Sequence, residues 1–283
     1  MTTRPAILTR RRDRSAPRGR RRGPGWRGLA GRVLPPFIFS VIFLAAWQAY
    51  CVIFDISEAA LPTPVEVAQA LWRERELLLD NTWITVQEIL IGFGLAIIVG
   101  VGLGALLSSS RWIERAIYPW LVVSQLVPIP AIAPVFVIWF GFDLRPKILV
   151  VMLVAFFPIV VNTIDGLKAV EPELINLMRT LRASRRRIFL TTKLPAALPF
   201  IFSGMKVAAA FSVIGAVFGE WVGSSEGLGY LILTLNNQTA TDEVFAVVVV
   251  LALIGIGLFA LISLVERLAL PWYHQPRALE VAA

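Results

Sequence analysis

The side chain best placed to do chemistry in this sequence is Glu88, an ionisable group inside a long apolar stretch. An acid in such a setting is costly unless it faces the protein interior or water. Gln87 beside it, and Ser124 and Gln125 in another apolar stretch, could supply further polar contacts. This pattern suits non-covalent contact with a polar solute, and solvation near the end of the apolar segment explains Glu88 equally well.

Residues suited to catalysis or to metal binding are scarce. The only histidine, His274, is close to the C-terminus, and the single cysteine, Cys51, lies in an apolar run with no neighbouring histidine or acid. The chain has no Gly-x-x-x-x-Gly-Lys-Ser/Thr run to cradle phosphates. The sequence therefore predicts no catalytic residue, no metal ligand and no cofactor in this chain, and excludes ATP hydrolysis of the P-loop kind.

The elements that position these residues must be membrane helices. Hydrophobic residues make up 57% of the chain, charged residues 16%, and the mean hydropathy is +0.73. Soluble chains carry about 25% charged residues, and one spanning helix needs about 20 mostly apolar residues. The sequence predicts an all-α membrane protein with about six transmembrane helices, at residues 34–54, 85–107, 121–140, 148–164, 199–221 and 244–264.

Basic residues indicate the orientation of these helices. The net charge is +8, but Lys and Arg lie beside apolar segments without interleaved aromatic residues, which argues against a nucleic-acid partner. Lys and Arg near span ends are retained in the cytoplasm. The segment 222–243 has none, whereas the segment 165–198 has several. Both termini are therefore predicted to be cytoplasmic.

The first 33 residues contain eleven Arg together with Pro, Gly and Ser. Such a segment cannot bury a core, so residues 1–33 are predicted to form a disordered cytoplasmic tail attracted to anionic lipid. Binding of the tail to a partner is the alternative. Residues 34–270 would form the membrane domain, and residues 271–283 a cytoplasmic C-terminal tail.

The third span should bend, because Pro128, Pro130 and Pro134 remove backbone hydrogen bonds within a short run. Broken helices in transporters tend to line the substrate route, although a kink that only improves packing explains each single proline as well.

Two other spans carry recognisable polar and small residues. In the fifth, Lys206 is expected to reach towards the headgroups, and Glu220 with Trp221 closes the span on the outer side. The second span has five glycines suited to close helix packing, namely Gly92, Gly94, Gly100, Gly102 and Gly104.

The loop of residues 169–197 is predicted to form two short helices. Pro172 would start the first helix, and Ser184 would cap the second, which would run to Lys193 and stop at Leu194-Pro195. Apolar residues recur at helical spacing in the first helix: Leu174, Leu177, Met178 and Leu181. A basic, amphipathic pair of helices at the membrane surface would result, and a lipid-surface hairpin has the same pattern.

At this loop the sequence resembles the permeases of ATP-binding-cassette importers, in the branch for nitrate, sulfonates, taurine and thiamine-precursor pyrimidines. Further matches extend the resemblance over most of residues 60 to 270. The matching residues are Arg179-Thr180-Leu181, Ala183-Ser184, Lys193-Leu194-Pro195-Ala196-Ala197-Leu198-Pro199, Leu61-Pro62-Thr63-Pro64 and Gly227-Leu228-Gly229-Tyr230.

The resemblance implies a type I importer permease in a bacterial plasma membrane, with a loop that couples it to an ATPase. It implies a homodimer, two ATPase subunits that bind ATP-Mg, and an extracytoplasmic substrate-binding protein. The coupling residues would be Asn176, Leu177, Met178, Arg179, Thr180, Leu181, Arg182, Ala183, Ser184, Leu194 and Pro195. The translocation path would include Glu88, Ser124, Gln125, Pro128, Pro130 and Glu220.

The loop departs from the family pattern at two places. Asn176, Leu177 and Met178 stand where the family has Glu-Ala-Ala, and Arg182 stands where it has Gly. The second change adds charge and removes backbone freedom, so an atypical docking geometry is expected.

The substrate is less well indicated than the family. Residues 212–221 look closest to permeases for pyrimidine thiamine precursors or riboflavin-like compounds, with sulfonate, taurine or nitrate as the next candidates. The rival function is that of an ion-gradient secondary transporter. Such a protein should show midplane carboxylates and inverted repeats, whereas most acids here fall at span ends or in loops.

Overall fold

The structure is a computed structural model. It describes the backbone of residues 26–273 and the side chains of residues 34–273. Every regular element in that range is helical, which confirms the predicted all-α class. The elements are α1 (Trp26–Ile53), α2 (Pro64–Arg73), α3 (Arg75–Ser109), α4 (Arg111–Leu126), α5 (Ile129–Phe140), α6 (Leu144–Lys168), α7 (Pro172–Thr180), α8 (Arg185–Ile188), a π-helical turn (Phe189–Lys193), α9 (Leu194–Gly223), α10 (Leu228–Asn237) and α11 (Thr241–Ala269).

The predicted tails fall mostly outside the described residues. Residues 1–25 and 274–283, including His274, are not among them. Helix α1 begins at Trp26, before the predicted tail boundary at residue 33. The chain divides into two compact units, Met1–Tyr50 and Cys51–Ala283, and the helices from α2 to α11 belong to the second.

The number of apolar helices agrees with the prediction of about six spans. In the described part of the chain, five helices are long and apolar enough to cross a membrane, and a sixth span results if α4 and α5 are counted together. Helix α3 begins at Arg75 rather than near Thr85, because helical hydrogen bonding continues beyond the apolar stretch into polar residues.

Helix α6 is the centre of the second unit and packs between α3 and α9. On the α3 side, small residues recur at every fourth position, at Gly92, Ala96, Gly100 and Gly104. A Cβ atom at Gly92 would lie 2.6 Å from Cβ of Val151 on α6. The predicted packing role is thus confirmed for Gly92, Gly100 and Gly104, since all three meet α6.

Two of the predicted packing glycines do not pack. Among the described residues, a Cβ atom at Gly94 or at Gly102 would meet nothing within 4 Å, so the prediction is wrong for both as regards packing within this chain. The 3.6-residue period of the helix places them on another face.

Helix α9 approaches α6 as closely as α3 does. Cβ atoms added at Gly215 and Gly219 would lie 3.0 and 3.1 Å from the Cα atoms of Val151 and Lys147. The three helices therefore enclose a core in which Val151, Ala155 and Ile159 of α6 are completely buried. Small residues on both neighbours hold the backbone of α6 in place.

The third predicted span is broken as the prolines indicate. Helices α4 and α5 meet at an angle of 98°, with Val127 and Pro128 at the break. Pro130 lies in the first turn of α5, where a missing N–H costs nothing, and Pro134 lies inside that helix. Helix α5 has 12 residues and extends about 18 Å, too short to cross a bilayer alone.

The predicted stop at Leu194-Pro195 is wrong. Helix α8, the π-helical turn and α9 follow one another without interruption, and together they form a run of 39 residues, Arg185–Gly223. The backbone N–H of Leu194 donates to the carbonyl of Phe189, five residues earlier. This wider turn accommodates Pro195, which has no N–H to donate, so the helix continues where a proline would usually end it.

Helix α2 is fixed at both of its ends. Thr63 and Glu66 form a reciprocal capping box, in which the Thr63 N–H donates to Oε2 of Glu66 over 2.6 Å. At the other end Arg73 binds Asp242 and Glu243 of α11 at 2.9 and 2.8 Å. The hydrogen bonds that Arg73 donates to Glu243 and then to Asp242 raise the pKa of Arg73 above its usual range.

Candidate functional site

The loop after α6 presents an apolar face to solvent. Helix α7 begins at Pro172, as predicted. Leu174, Leu177 and Leu181 are 44%, 56% and 70% exposed, and no residue of α7 is buried. Exposed leucines at helical spacing on a short surface helix are typical of a docking surface for another protein or for a membrane.

Helix α7 ends in a Schellman motif built around Arg182. The N–H of Ala183 donates to Met178 O over 3.0 Å, and the N–H of Arg182 donates to Arg179 O over 2.9 Å. Arg182 itself has φ 56°, in the left-handed region that favours glycine. Arg182 therefore occupies a backbone conformation that glycine adopts more readily, at the position where the family pattern has glycine.

The remaining predicted coupling residues lie around this turn. Thr180 donates to Asn176 O over 3.1 Å, inside α7. The Ser184 hydroxyl accepts the N–H of Arg187 at 3.3 Å, which confirms the predicted cap. Leu194 and Pro195 are in the first turn of α9, separated from α7 by α8 and the π-helical turn.

Glu88 and Lys147 form a buried ion pair between α3 and α6. The Lys147 Nζ lies 2.9 Å from Oε1 of Glu88, whose side chain is completely enclosed. The contact has the distance of an ion pair but not the angles of a hydrogen bond, so the attraction is coulombic. Lys147 also donates to Oγ of Ser224 over 2.7 Å. The expectation that Glu88 faces the protein interior is confirmed, and its partner Lys147 was not predicted.

Glu220 holds the beginning of α10. Its Oε2 accepts the backbone N–H groups of Gly229 and Tyr230, the latter at 3.3 Å. Its Oε1 accepts the hydroxyl of Thr85 at 2.6 Å. A carboxylate at a helix N-terminus meets unpaired N–H groups and the positive end of the helix dipole. Glu220 was predicted to close the outer end of a span, and the structure adds that it is fully buried and caps another helix.

The chain turns tightly around this carboxylate. Gly227 has φ 105°, and a Cβ atom there would collide with the Glu220 carboxyl group. The Gly227 N–H donates to Oδ1 of Asn81 over 2.7 Å, and the Leu228 N–H donates to Oγ1 of Thr85 over 2.9 Å. The glycine is needed both for its positive φ and for the close approach.

Glu220 lies next to the ion pair of Glu88 and Lys147, because its partner Thr85 is three residues before Glu88 on α3 and its neighbour Gly219 packs against Lys147. Two carboxyl groups and one lysine are thus buried near one another where α3, α6 and α9 meet. We name this group of residues, Glu88, Lys147 and Glu220, the carboxylate cluster.

Three other predicted path residues lie together, apart from that cluster. Ser124, Gln125 and Pro128 line a cavity of about 160 Å³ with Leu153 and Val154 of α6. Pro130, one of the six path residues predicted, does not line this cavity. The break between α4 and α5 therefore opens a small space beside α6 that both polar and apolar side chains line, as the prolines indicate.

Lys206 does not end free at the headgroups as predicted. It donates to Oε2 of Glu266 on α11 over 2.7 Å. Sequence patterns give no sign of this pairing, because the partners lie 60 residues apart. Within residues 26–273, no three His, Cys, Asp or Glu side chains are close enough together to hold a metal ion.

Comparison with known proteins identifies the family. The model of the binding-protein-dependent transport system inner membrane component matches residues 92–274. The chain belongs to this family. The permease therefore sits in the membrane as a subunit of an ATP-binding-cassette importer for small solutes, and the resemblance predicted from its motifs is confirmed.

Relatives with stated substrates are similar along most of their length. The permease is 36% identical over 242 residues to the formylaminopyrimidine transport permease protein ThiX of Halalkalibacterium halodurans. The aligned region covers 85% of this chain and 96% of the relative. It is also 36% identical over 234 residues to the riboflavin transport system permease protein RibX of Chloroflexus aurantiacus, covering 82% and 87%.

A solved structure shows the same fold. A chain of the MetNI methionine ABC transporter, in an inward-facing conformation, aligns with a TM-score of 0.61 at 19% identity and covers 69% of this chain and 97% of that one. The predicted type I importer permease fold is confirmed.

Proposed function

We propose that this permease forms the translocation path for a small organic solute and couples it to a separate ATPase through the loop of residues 169–197. Two copies of the permease would join two ATPase subunits, which bind ATP-Mg, and an extracytoplasmic substrate-binding protein. Both termini would be cytoplasmic.

The exposed leucine face of α7 carries this proposal. Leu174 and Leu177 lie on α7 and Leu181 directly follows it, and all three are exposed on a helix in which no residue is fully buried. In a family of importer subunits, an apolar helix of this kind has a ready partner in a cleft of the ATPase. Burying an exposed leucine contributes about 2 kcal/mol, so three give a substantial docking surface.

The turn that follows supports the same role. The Schellman motif fixes Leu181 and Arg182 at the tip, with hydrogen bonds from Arg182 and Ala183. A docking element must keep its shape under load, and a capped helix end does so better than an open loop. Closure of the ATPase pair would shift the permease to the outward-facing state, and hydrolysis would restore the inward-facing one.

A thiamine-precursor pyrimidine or a riboflavin-like compound is the favoured solute. The similarity to a formylaminopyrimidine permease and to a riboflavin permease, each 36% identical, supports this choice. Aliphatic sulfonates are the next candidate, because a putative sulfonate permease of Bacillus subtilis is 33% identical over 253 residues. Taurine and nitrate follow.

Co-purification with the ATPase encoded beside this chain tests the coupling. We expect the complex to form, and the binding protein with its solute to stimulate ATP turnover. Leu177→Asp and Leu181→Asp, each of which places a charge on the apolar face, should lower that stimulation about tenfold or more, because desolvating a carboxylate opposes docking.

Leu181→Met is the matched control, since it keeps an apolar side chain of similar volume. It should retain most of the stimulation. If no ATPase co-purifies, or if the Asp variants are stimulated as strongly as Leu181→Met, the loop does not couple the two subunits. The solute is identified separately, by thermal shift of the purified binding protein with formylaminopyrimidine, riboflavin, taurine and nitrate.

A further inference from the structure

A basic groove lies beside the loop, between the end of α3, the start of α4, the end of α6 and α7. It has a volume of about 620 Å³. Five basic side chains line it, namely Lys168 and the four residues Arg111, Arg115, Arg179 and Lys193. We name this space the basic groove.

Most of the positive charge in the basic groove is not neutralised by residues 34–273. Within the part of the chain whose side chains the structure describes, none of the four basic residues forms an ion pair. The one acid in the lining, Glu114, is already paired with Lys168. Like charges around a common space repel each other, so an anion placed between them would be stabilised.

The groove lies at the depth of the membrane surface. Helices α3 and α6, two of the apolar helices long enough to span, end at Ser109 and Lys168, and residues close to both ends line the groove. Trp112, next to Arg111, is 83% exposed, as tryptophans at membrane interfaces are. This geometry places the groove at the level of the phospholipid headgroups.

The lining is apolar as well as basic. Leu167, Val170 and Ile175 line the groove beside the arginines. An acidic protein surface would match the charges alone. A phospholipid matches both, because its phosphate meets the basic residues while its glycerol and upper acyl chain meet the apolar ones.

We propose that the basic groove binds the phosphodiester headgroup of an anionic phospholipid. Basic pockets between membrane helices at the cytoplasmic surface bind such headgroups, and each basic residue near the surface adds to the attraction. Since the site includes Arg179 and Asn176 of α7, the bound lipid would hold that helix against the ends of α3 and α6. The inference concerns lipid binding and does not depend on the transported solute.

Native mass spectrometry of the detergent-purified full chain, titrated with phosphatidylglycerol, tests this site. We expect saturable binding of phosphatidylglycerol and much weaker binding of phosphatidylethanolamine, which has no net charge. The double variant Arg111→Gln with Arg115→Gln should bind phosphatidylglycerol about thirtyfold more weakly. Lys193→Gln, a single change on another element, should weaken it by about fivefold and shows whether the double variant has only lost its fold.

Arg186→Gln with Arg187→Gln is the matched control, because it removes the same number of charges from α8, at two residues that do not line the groove. Its affinity for phosphatidylglycerol should stay within about twofold of the parent. If both double variants weaken phosphatidylglycerol binding equally, the attraction depends only on overall charge, and the proposed site is overturned. Displacement of the lipid by equimolar inorganic phosphate would show a site for free phosphate. Unchanged lipid binding with loss of ATPase association would assign the groove to an acidic partner surface, and either result would overturn the proposal.

Discussion

The Lys147 ammonium lies 2.9 Å from the Glu88 carboxylate, in a setting where Glu88 is 0% and Lys147 8% exposed. Two helices that cross the apolar region are thereby joined by opposite charges, and the acid is completely enclosed by protein. In this environment each charge depends on the other, because a buried charge without its partner is strongly destabilising.

We therefore expect Lys147→Met to lower the free energy of unfolding by about 3 kcal/mol or more, since it leaves Glu88 buried without a counter-charge. The double variant Glu88→Gln with Lys147→Met should recover part of that loss. Thermal unfolding in detergent measures both. Arg145→Met is the control, because its pair with Asp143 is exposed and contributes less than about 1 kcal/mol. A double variant no more stable than Lys147→Met alone would contradict the pairing.

Glu220 should matter for stability through the start of α10. In Glu220→Gln the charged acceptor that receives the N–H groups of Gly229 and Tyr230 becomes neutral. We expect a loss of about 2 kcal/mol, because hydrogen bonds to charged groups are the stronger ones. Hydrogen exchange at residues 228–231 should increase in this variant. The exposed Glu226 provides the control Glu226→Gln, and equal effects of the two changes would refute the capping role.

The packing of α3 against α6 can be tested with two neighbouring glycines. Gly92→Ala places a Cβ atom 2.6 Å from Val151 Cβ, whereas Gly94→Ala meets nothing within 4 Å. We expect Gly92→Ala to destabilise the protein by about 1–3 kcal/mol through overpacking. Gly94→Ala should be neutral or stabilising by up to about 1 kcal/mol, because alanine favours the helix. Unfolding midpoints of the two variants compare them directly, and the reverse order would show that α3 packs with another face.

Arg182 offers a substitution that should improve the fold. Arg182→Gly removes the side chain from a residue with φ 56°, and we expect a gain of about 1 kcal/mol, because the left-handed conformation penalises any Cβ. Arg182→Val should cost more than Arg182→Gly gains, since branched residues tolerate this region least. Thermal unfolding of the detergent-purified chain measures these changes.

Arg179→Gly is the control for the turn, because Arg179 lies within α7 and glycine costs about 1 kcal/mol in a helix. Destabilisation of similar size at both positions would show that the turn does not hold Arg182 in the left-handed region.

The sequence predicted the features that depend on local pattern. Apolar length located the spans, three prolines located the break at Pro128, and helix-start signals located Pro172 and the cap at Ser184. It could not predict the partners of buried charges, because these are distant along the chain. Thr85 and Glu220 are 135 residues apart, and Lys206 and Glu266 are 60 residues apart. Only the fold brings such pairs together.

The stop predicted at Leu194-Pro195 failed for a different reason. Proline usually ends a helix because it lacks an N–H and crowds the preceding turn. Here a five-residue π-helical turn precedes it, and no pattern in Phe189–Lys193 indicates one. The two candidate sites differ in the same respect. The exposed leucines of the loop could be predicted from helical spacing, whereas the carboxylate cluster is recognisable only in the folded structure.

Because α8, the π-helical turn and α9 are continuous, the loop after α7 and the far end of α9 move together, although they are distant in the sequence. A run of 39 residues is about 58 Å long, so a single rod joins the capped tip of the loop to the helix end that carries Glu220. If such a rod tilts by about 5° around its middle, its two ends move about 2.5 Å in opposite directions. A push at Arg185 on one side of the bilayer thus arrives as a displacement of Glu220, and with it the start of α10, on the other side. The π-helical turn and Pro199 both lie near the loop end of this rod, so its longer part, which carries Glu220, is regular helix.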